Sequence, residues 1–279
     1  MGAVPWPTDD VALVRDDPEL TEHLGRWLDR GISEVVAQGS DAFLGRVLTT
    51  YHRKFSGHRT PLAVAPVGDG RPSPLVAHLG LEERPERAAK RIQRALHRAR
   101  ARRILIPTLR LTLSTSPHAM LGFDVGTGTV YALFSSARRG VGRAAQLGRA
   151  AVAMAKEVVP SGFPAPGRGG ARLVIDGVPS QEATYTLASS LGRSWLGMFM
   201  GRGEALRIHH GSDPTQLFGQ LATSQLPLVS SRSVAPATPF ERVHLDAVEG
   251  VVLDGDLLTS SRPFIMHLSQ GPRVVLLTP

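Results

Sequence analysis

The chain has 279 residues, 42% of them hydrophobic and 20% charged, and it contains no cysteine. That length supports one large domain or two small ones and is too apolar for disorder; without cysteine, disulfides, thiolate zinc sites, iron–sulfur clusters and a cysteine nucleophile are excluded. Lys and Arg number 32 against 24 acids, and the excess is local: residues 84–103 hold nine basic residues and one acid, Glu86, on an otherwise balanced chain, which does not imply a general nucleic-acid coat.

No secretory leader, myristoylation signal or membrane span is expected, because no basic segment precedes an apolar run and no stretch reaches 18 apolar residues. In chain order, residues 11–14 (VALV) predict a short strand. Asp16, Asp17 and Pro18 then open a helix with Leu20, Leu24, Trp27 and Leu28 on one face, ended by Gly31. Residues 32–37 (ISEVVA) predict a buried strand and 42–53 a helix with Phe43, Leu44, Val47 and Leu48 inward. Residues 61–66 (PLAVAP) predict a second buried strand, followed by a Gly/Pro loop. Strand and helix alternating at this spacing predict βαβ units and a parallel sheet.

A basic amphipathic helix is predicted over 82–102, with Ala88, Ala89, Ile92, Ala95, Leu96 and Ala99 on its inner face. Strands are predicted over 103–113 and 118–124, a helix over 141–159 and a linker over 160–170 (PSGFPAPGRGG). Beyond the linker the pattern becomes β-rich, with strands at 171–176, 181–190, 205–209, 240–248, 251–254, 264–268 and 273–277. One helix at 214–222 and a Pro/Ser-rich loop at 227–239 interrupt them. Two parts follow, an α/β part over 1–104 and a mostly β, sandwich-like part over 105–279 whose last strands pack back toward the first.

Several strings invite a function and are read more simply. Asp124-Val-Gly-Thr-Gly-Thr129 resembles a phosphate loop of the actin and sugar-kinase superfamily, but it stands too late in the chain and reads as a Gly/Thr turn leaving a strand. His209 and His210 are adjacent in a strand pattern, so their rings point to opposite faces and cannot share an ion. Asp176-Gly177 reads as a turn, and no G-x-S-x-G elbow supports a serine hydrolase. Trp195, Met198, Phe199 and Met200 form an apolar run that suits core or a lipid cleft.

A second constellation is defined by order. Strand ISEVVA leads into Gly39-Ser40-Asp41-Ala42-Phe43 and a helix; strand PLAVAP leads into Val67-Gly68-Asp69-Gly70-Arg71 and then Ala77-His78-Leu79-Gly80. This resembles the diacylglycerol kinase and sphingoid-lipid kinase family, relatives of the NAD kinases, in which a GGDGT loop and a P-x-G-T-G-N loop follow successive strands. HAMLGFD resembles the family's GFD segment, and Asp254-Gly255-Asp256 its DGE strand. The resemblance implies a two-domain α/β and β-rich fold with an interdomain cleft. It implies nucleotide binding at Gly39, Ser40, Asp41, Gly68, Asp69 and Gly70, catalytic roles for Asp254 and Asp256, a metal held by Asp41 and Asp256, and ATP with Mg2+ as cofactors of an active enzyme.

The departures from the family bear on activity. Glycines let backbone approach phosphate closely, yet Ser40 and Ala42 replace two of them and Phe43 replaces the threonine. Asp69 adds negative charge where phosphates would lie. The family's opening N-P-x-(S/A)-G turn has no counterpart before Ile32. The leading expectation is therefore a degenerate lipid-kinase homologue that binds a lipid, a nucleotide weakly or a protein partner. The alternatives are an active ATP- and magnesium-dependent lipid kinase, or a peripheral membrane module using the basic helix alone. In that helix Arg87, Lys90, Arg91, Arg94 and Arg98 are the candidate contacts to anionic headgroups. Expected partners are a lipid, an anionic membrane surface or a second copy of the chain, with no nucleic acid. The expected location is the cytoplasm, with peripheral attachment at the inner membrane surface.

Overall fold

Asp16 starts the first helix by accepting the N–H of Glu19, with Pro18 in the first turn, and α1 (Asp17–Asp29) buries Leu20, Leu24 and Leu28. The computed structural model describes residues 11–59, 61–70, 73–81, 84–138, 171–180, 182–191, 205–213, 216–217 and 237–279. These form two units, Met1–Ile106 with Arg273–Pro279, and Pro107–Pro272. The strand expected at 11–14 is absent: Val11 and Leu13 are exposed and have no strand partner to cover them.

In the first unit β1 (Glu34–Gln38) runs parallel to β2 (Ala63–Val67), joined by the crossover helix α2 (Asp41–Phe55). A third parallel partner comes from the end of the chain, where Val275 and Leu276 of β12 (Asp256–Thr278) pair with Ala63 and Val64. Every residue of β2 is buried, as a strand flanked on both sides requires. After the short α3 (Pro74–His78), the basic helix α4 (Pro85–His97) lays Ala88, Ala89 and Ile92 against Ala63, Ala65, Val67 and Leu277.

The basic helix is shorter than its predicted span of 82–102. The N–H of Arg100 bonds the carbonyl of Ala95, and that of Ala99 bonds Leu96, while Ala99 takes φ +50°. This is a Schellman ending with alanine where glycine usually sits, and it hands the chain to β3 (Arg102–Leu113).

The second unit is antiparallel. β4 (Met120–Gly122) pairs with β3, and β5 (Asp124–Gly128) lies between β8 (Tyr185–Ser189) and β11 (Arg242–Leu253). β9 (Arg207–Gly211) and β10 (Thr238–Pro239) extend this sheet beyond β8. β6 (Leu173–Ile175) pairs with β11 and with β7 (Val178–Pro179) across the Asp176-Gly177 turn, where both residues have positive φ. Leu109, Leu111, Val125, Leu173, Ile208, Leu245, Val251, Phe264 and Met266 form its core.

Three expectations are corrected. The Gly/Thr string is strand β5 rather than a turn: Thr127 and Thr186 hydroxyls meet across it at 2.8 Å, and a side chain at Gly128 would run into the Thr184 carbonyl. The helix after it, α5 (Thr129–Arg138), was not expected. The four short strands at the C-terminal end are two long ones. β11 continues through the expected break at 249–250 with a register shift between Val248 and Gly250, after an earlier one around Ala247 (φ +57°), and β12 runs through Pro263 and Pro272, whose carbonyl accepts the Thr108 hydroxyl at 2.7 Å. The expected helix at 141–159, the linker at 160–170 and the Trp195–Met200 run lie outside the described residues. So do the helix at 214–222 and the loop at 227–239, apart from Gln216, Leu217 and residues 237–239.

Candidate functional site

In the first unit the site is built on the turns that follow two parallel strands, where ligands of open α/β sheets bind. Ser40 caps α2 by accepting the Phe43 N–H at 3.2 Å, and the Gly39 N–H donates to the Val67 carbonyl at 2.9 Å, tying the first turn to the second strand. Asp41 opens the helix. One of its carboxylate oxygens accepts the Ser73 hydroxyl in a short bond, and the other accepts the Leu75 N–H at 3.4 Å. Ser73 in turn caps α3 by accepting the Val76 N–H at 2.9 Å.

Asp41 is thus a clamp between the two loops. Burial pushes its carboxyl above the ordinary value; the bonds from Ser73 and Leu75 oppose that shift, and the negative charge of Asp69 adds to it. Gly68 is half-buried, whereas Asp69 and Gly70 are exposed, with Gly70 at φ +87°.

Phe43 decides how much room the first turn offers. Its ring lies over the Gly39 backbone, so that a Cβ on Gly39 would stand 2.8 Å from Cδ1 of the ring. The glycine of the first turn is thus covered on its Cβ side by a phenyl group. Both Asp41 oxygens accept hydrogen bonds, and among the described residues no group of three or more His, Asp or Glu side chains gathers into a ligand set.

In the second unit Asp254 and Gly255 form the two-residue turn between β11 and β12, with Leu253 opposite Asp256 and φ of +49° and +87°. Two positive φ values mark a type I′ turn, the geometry Asp-Gly favours. The Asp254 side chain folds back into the unit, where Oδ1 accepts the N–H groups of Phe123 and Asp124 at 2.9 and 2.8 Å. Asp256 is half-buried at the start of β12.

Sequence reasoning missed the neighbours of this acid. Asp124 is buried and pairs with Ser189, which pairs with Arg207, so a carboxylate, a hydroxyl and a guanidinium stand in one row across three strands. The GFD string carried that signal but reads as a strand end until its pairing is known. Ser73 was also missed, although Ser before Pro is a helix-start signature. His209 is buried and His210 half-buried, on opposite faces as expected.

On α4, Arg87, Lys90, Arg91 and Arg94 are all exposed, as is Arg98 at its C-cap, and Arg94 Nε donates to the Lys90 carbonyl at 3.3 Å. Ile104 and Leu105, which follow in β3, are also exposed. No described helix is long and apolar enough to cross a membrane.

No family model and no curated protein matches the chain. Solved structures do. A protein assigned as a diacylglycerol kinase from Bacillus anthracis str. Sterne superposes with a TM-score of 0.60 at 13% identity, over 95% of this chain and 83% of that one. The fold is that of the diacylglycerol kinases. A further structure described as a diacylglycerol kinase from the same source gives 0.58 at 12% identity, over 95% and 84% of the two chains. Yeast NADH kinase complexed with NADH gives 0.50 at 10% identity, over 88% and 62%. At such identities the likeness carries the architecture, and the chemistry has to be argued from the site.

Proposed function

We propose that this protein uses the diacylglycerol-kinase fold to bind at an anionic lipid surface and does not transfer phosphoryl groups efficiently. The single observation that carries the loss of transfer is the Phe43 ring on Gly39. Phosphoryl transfer depends on positioning and charge neutralisation, and this turn has a phenyl group where backbone should meet phosphate. The lipid half of the reading is supported by four exposed cations on α4 with Arg98 at its C-cap, and by exposed Ile104 and Leu105 soon after. Each basic residue near an anionic membrane contributes about 1 kcal/mol, and exposed apolar residues supply the interfacial part of such contacts. Peripheral attachment at the inner membrane surface follows from this reading.

The test has two arms. Thermal unfolding with ATP and Mg2+ is expected to show no rise in midpoint; a rise abolished by Asp41→Ala overturns the damaged-cradle reading. Sedimentation with phosphatidylserine vesicles is expected to carry the protein down, and the combined Arg87→Glu, Arg91→Glu and Arg94→Glu variant is expected to stay in solution. Equal sedimentation of both rejects the membrane reading.

A second reading, an active ATP- and Mg2+-dependent lipid kinase, is favoured by Asp254, a buried acid held by two backbone donors. Turnover on a lipid panel that is lost in Asp256→Ala would establish it.

A further inference from the structure

The paired strands β11 and β12 set His244 opposite His267. Alternation turns both rings away from Val243, Leu245, Met266 and Leu268, which are buried in the core of the second unit and hold the register of the pair. The two Nδ1 atoms face each other at 3.1 Å, and Nε2 of His244 lies 2.7 Å from Oδ1 of Asp246. A carboxylate only accepts, so in neutral His244 the proton sits on Nε2 and the Nδ1 lone pair points at His267.

This is the arrangement of a metal-ligating histidine, whose second nitrogen donates to a carboxylate that fixes the tautomer and raises the basicity of the first. Two ligands in a tetrahedral shell with metal–nitrogen bonds of about 2.1 Å stand about 3.4 Å apart, close to the separation of these nitrogens.

We propose that His244 and His267 chelate a divalent first-row transition metal through their Nδ1 atoms, with Asp246 orienting His244 and water completing the shell. Imidazole pairs select ions of the Zn2+, Cu2+ and Ni2+ type over Mg2+ and Ca2+. Among the described residues no third His, Asp or Glu joins the set, so these residues supply two ligands and water the rest. His244 is half-buried and His267 exposed, which leaves the approach free. Arg242, the next residue outward on the same face of β11, and Arg172, whose carbonyl accepts the Asp246 N–H at 3.1 Å, are the nearby cations that oppose binding.

The ion would bridge β11 and β12 where their ladder is interrupted. The register shifts between Leu245 and Val248, and Ala247 takes φ +57° just beyond Asp246. A cross-strand chelate would hold the two strands together beside this bulge, in the same strand pair whose turn carries Asp254.

The experiment is calorimetric titration of the untagged full chain with Zn2+, supported by imidazole nitrogen NMR. One equivalent is expected to bind, with the Nδ1 resonances of His244 and His267 shifting together. His244→Gln and His267→Gln are each expected to weaken binding at least tenfold, and Asp246→Asn roughly tenfold. His118→Gln, at an exposed histidine elsewhere, is expected to leave it unchanged. Thermal unfolding with Zn2+ should show a raised midpoint in the wild type that both glutamine variants lose, while circular dichroism shows all variants folded. Absence of binding would mean that the two nitrogens share only a proton. Binding that survives both glutamine variants would place the ion elsewhere among the ten histidines. Either result overturns the proposal.

Discussion

The Asp254 carboxylate occupies the space that a side chain on Gly122 would need: a Cβ there would stand 2.6 Å from Oδ2 and would also collide with Leu253. The glycine and the acid are 132 positions apart in sequence and specify each other. Gly122→Ala is expected to cost about 1–3 kcal/mol, the usual range for overpacking. Asp254→Ala leaves the N–H groups of Phe123 and Asp124 without their acceptor and is expected to cost about 1–3 kcal/mol for each donor left buried. Asp254→Asn keeps an oxygen in place and should cost less than Asp254→Ala. Urea unfolding of the three variants checks the order; a neutral Gly122→Ala would mean that Asp254 is not held where it stands.

Gly39 and Phe43 pose a similar test in the first unit. Gly39→Ala brings a methyl group against the Phe43 ring and is expected to destabilise by about 1–3 kcal/mol. Phe43→Ala removes that obstacle along with some packing. If the ring is the obstruction, the double variant should be less destabilised than the sum of the two, with a coupling of about 0.5–3 kcal/mol. Strict additivity in urea unfolding would move the ring off the turn and take the damaged-cradle argument with it.

The end of α4 offers a stabilising change. Ala99 holds φ +50° as the left-handed residue of a Schellman ending, a conformation that costs roughly 1–2 kcal/mol for a residue with a Cβ. Ala99→Gly removes that strain and adds unfolded-chain entropy, so a net gain of about 0.5–1 kcal/mol is expected. The thermal midpoint should rise. The test also bears on the membrane reading, because Arg98 and Arg100 flank the turn and neither charge is altered.

The order of elements was legible in the sequence because local pattern determines it. β1, α2 and β2 follow from ISEVVA, the Ser40 cap and PLAVAP, and the parallel sheet follows from their spacing. Long-range pairing was not legible. Pro263 and Gly271-Pro272 look like strand breakers, yet β12 continues through them because Pro272 needs only its carbonyl to bond Thr108. Asp124 reads as a residue leaving a strand; only its pairing with Ser189 and the reach of Asp254 across the sheet reveal a buried polar row. The GGDGT-like and DGE-like strings also do not disclose the contacts their acids make: Asp41 joins two loops and Asp254 closes a turn.

Asp41 gives a pH dependence whose sign follows from its surroundings. Burial is the largest influence and raises its carboxyl above 3.8, against the lowering by Ser73 and the Leu75 N–H. The folded protein therefore holds this proton more tightly than the unfolded chain does. Between the unfolded value and the raised folded value the native state binds more protons, so stability falls as pH rises through that window. The contribution is fully present below the unfolded value and is lost above the folded one. Asp41→Asn removes the titration while leaving an oxygen for the Ser73 hydroxyl. Relative to wild type, the Asn variant should gain stability as pH is raised from below 3.8 to neutrality, measured by urea unfolding at each pH. A difference that stays constant, or shrinks with rising pH, would mean that the charged form of Asp41 is favoured by its site. That would be the behaviour of a carboxylate facing a cation or a dense set of donors, and it would reopen the case for a metal at this turn.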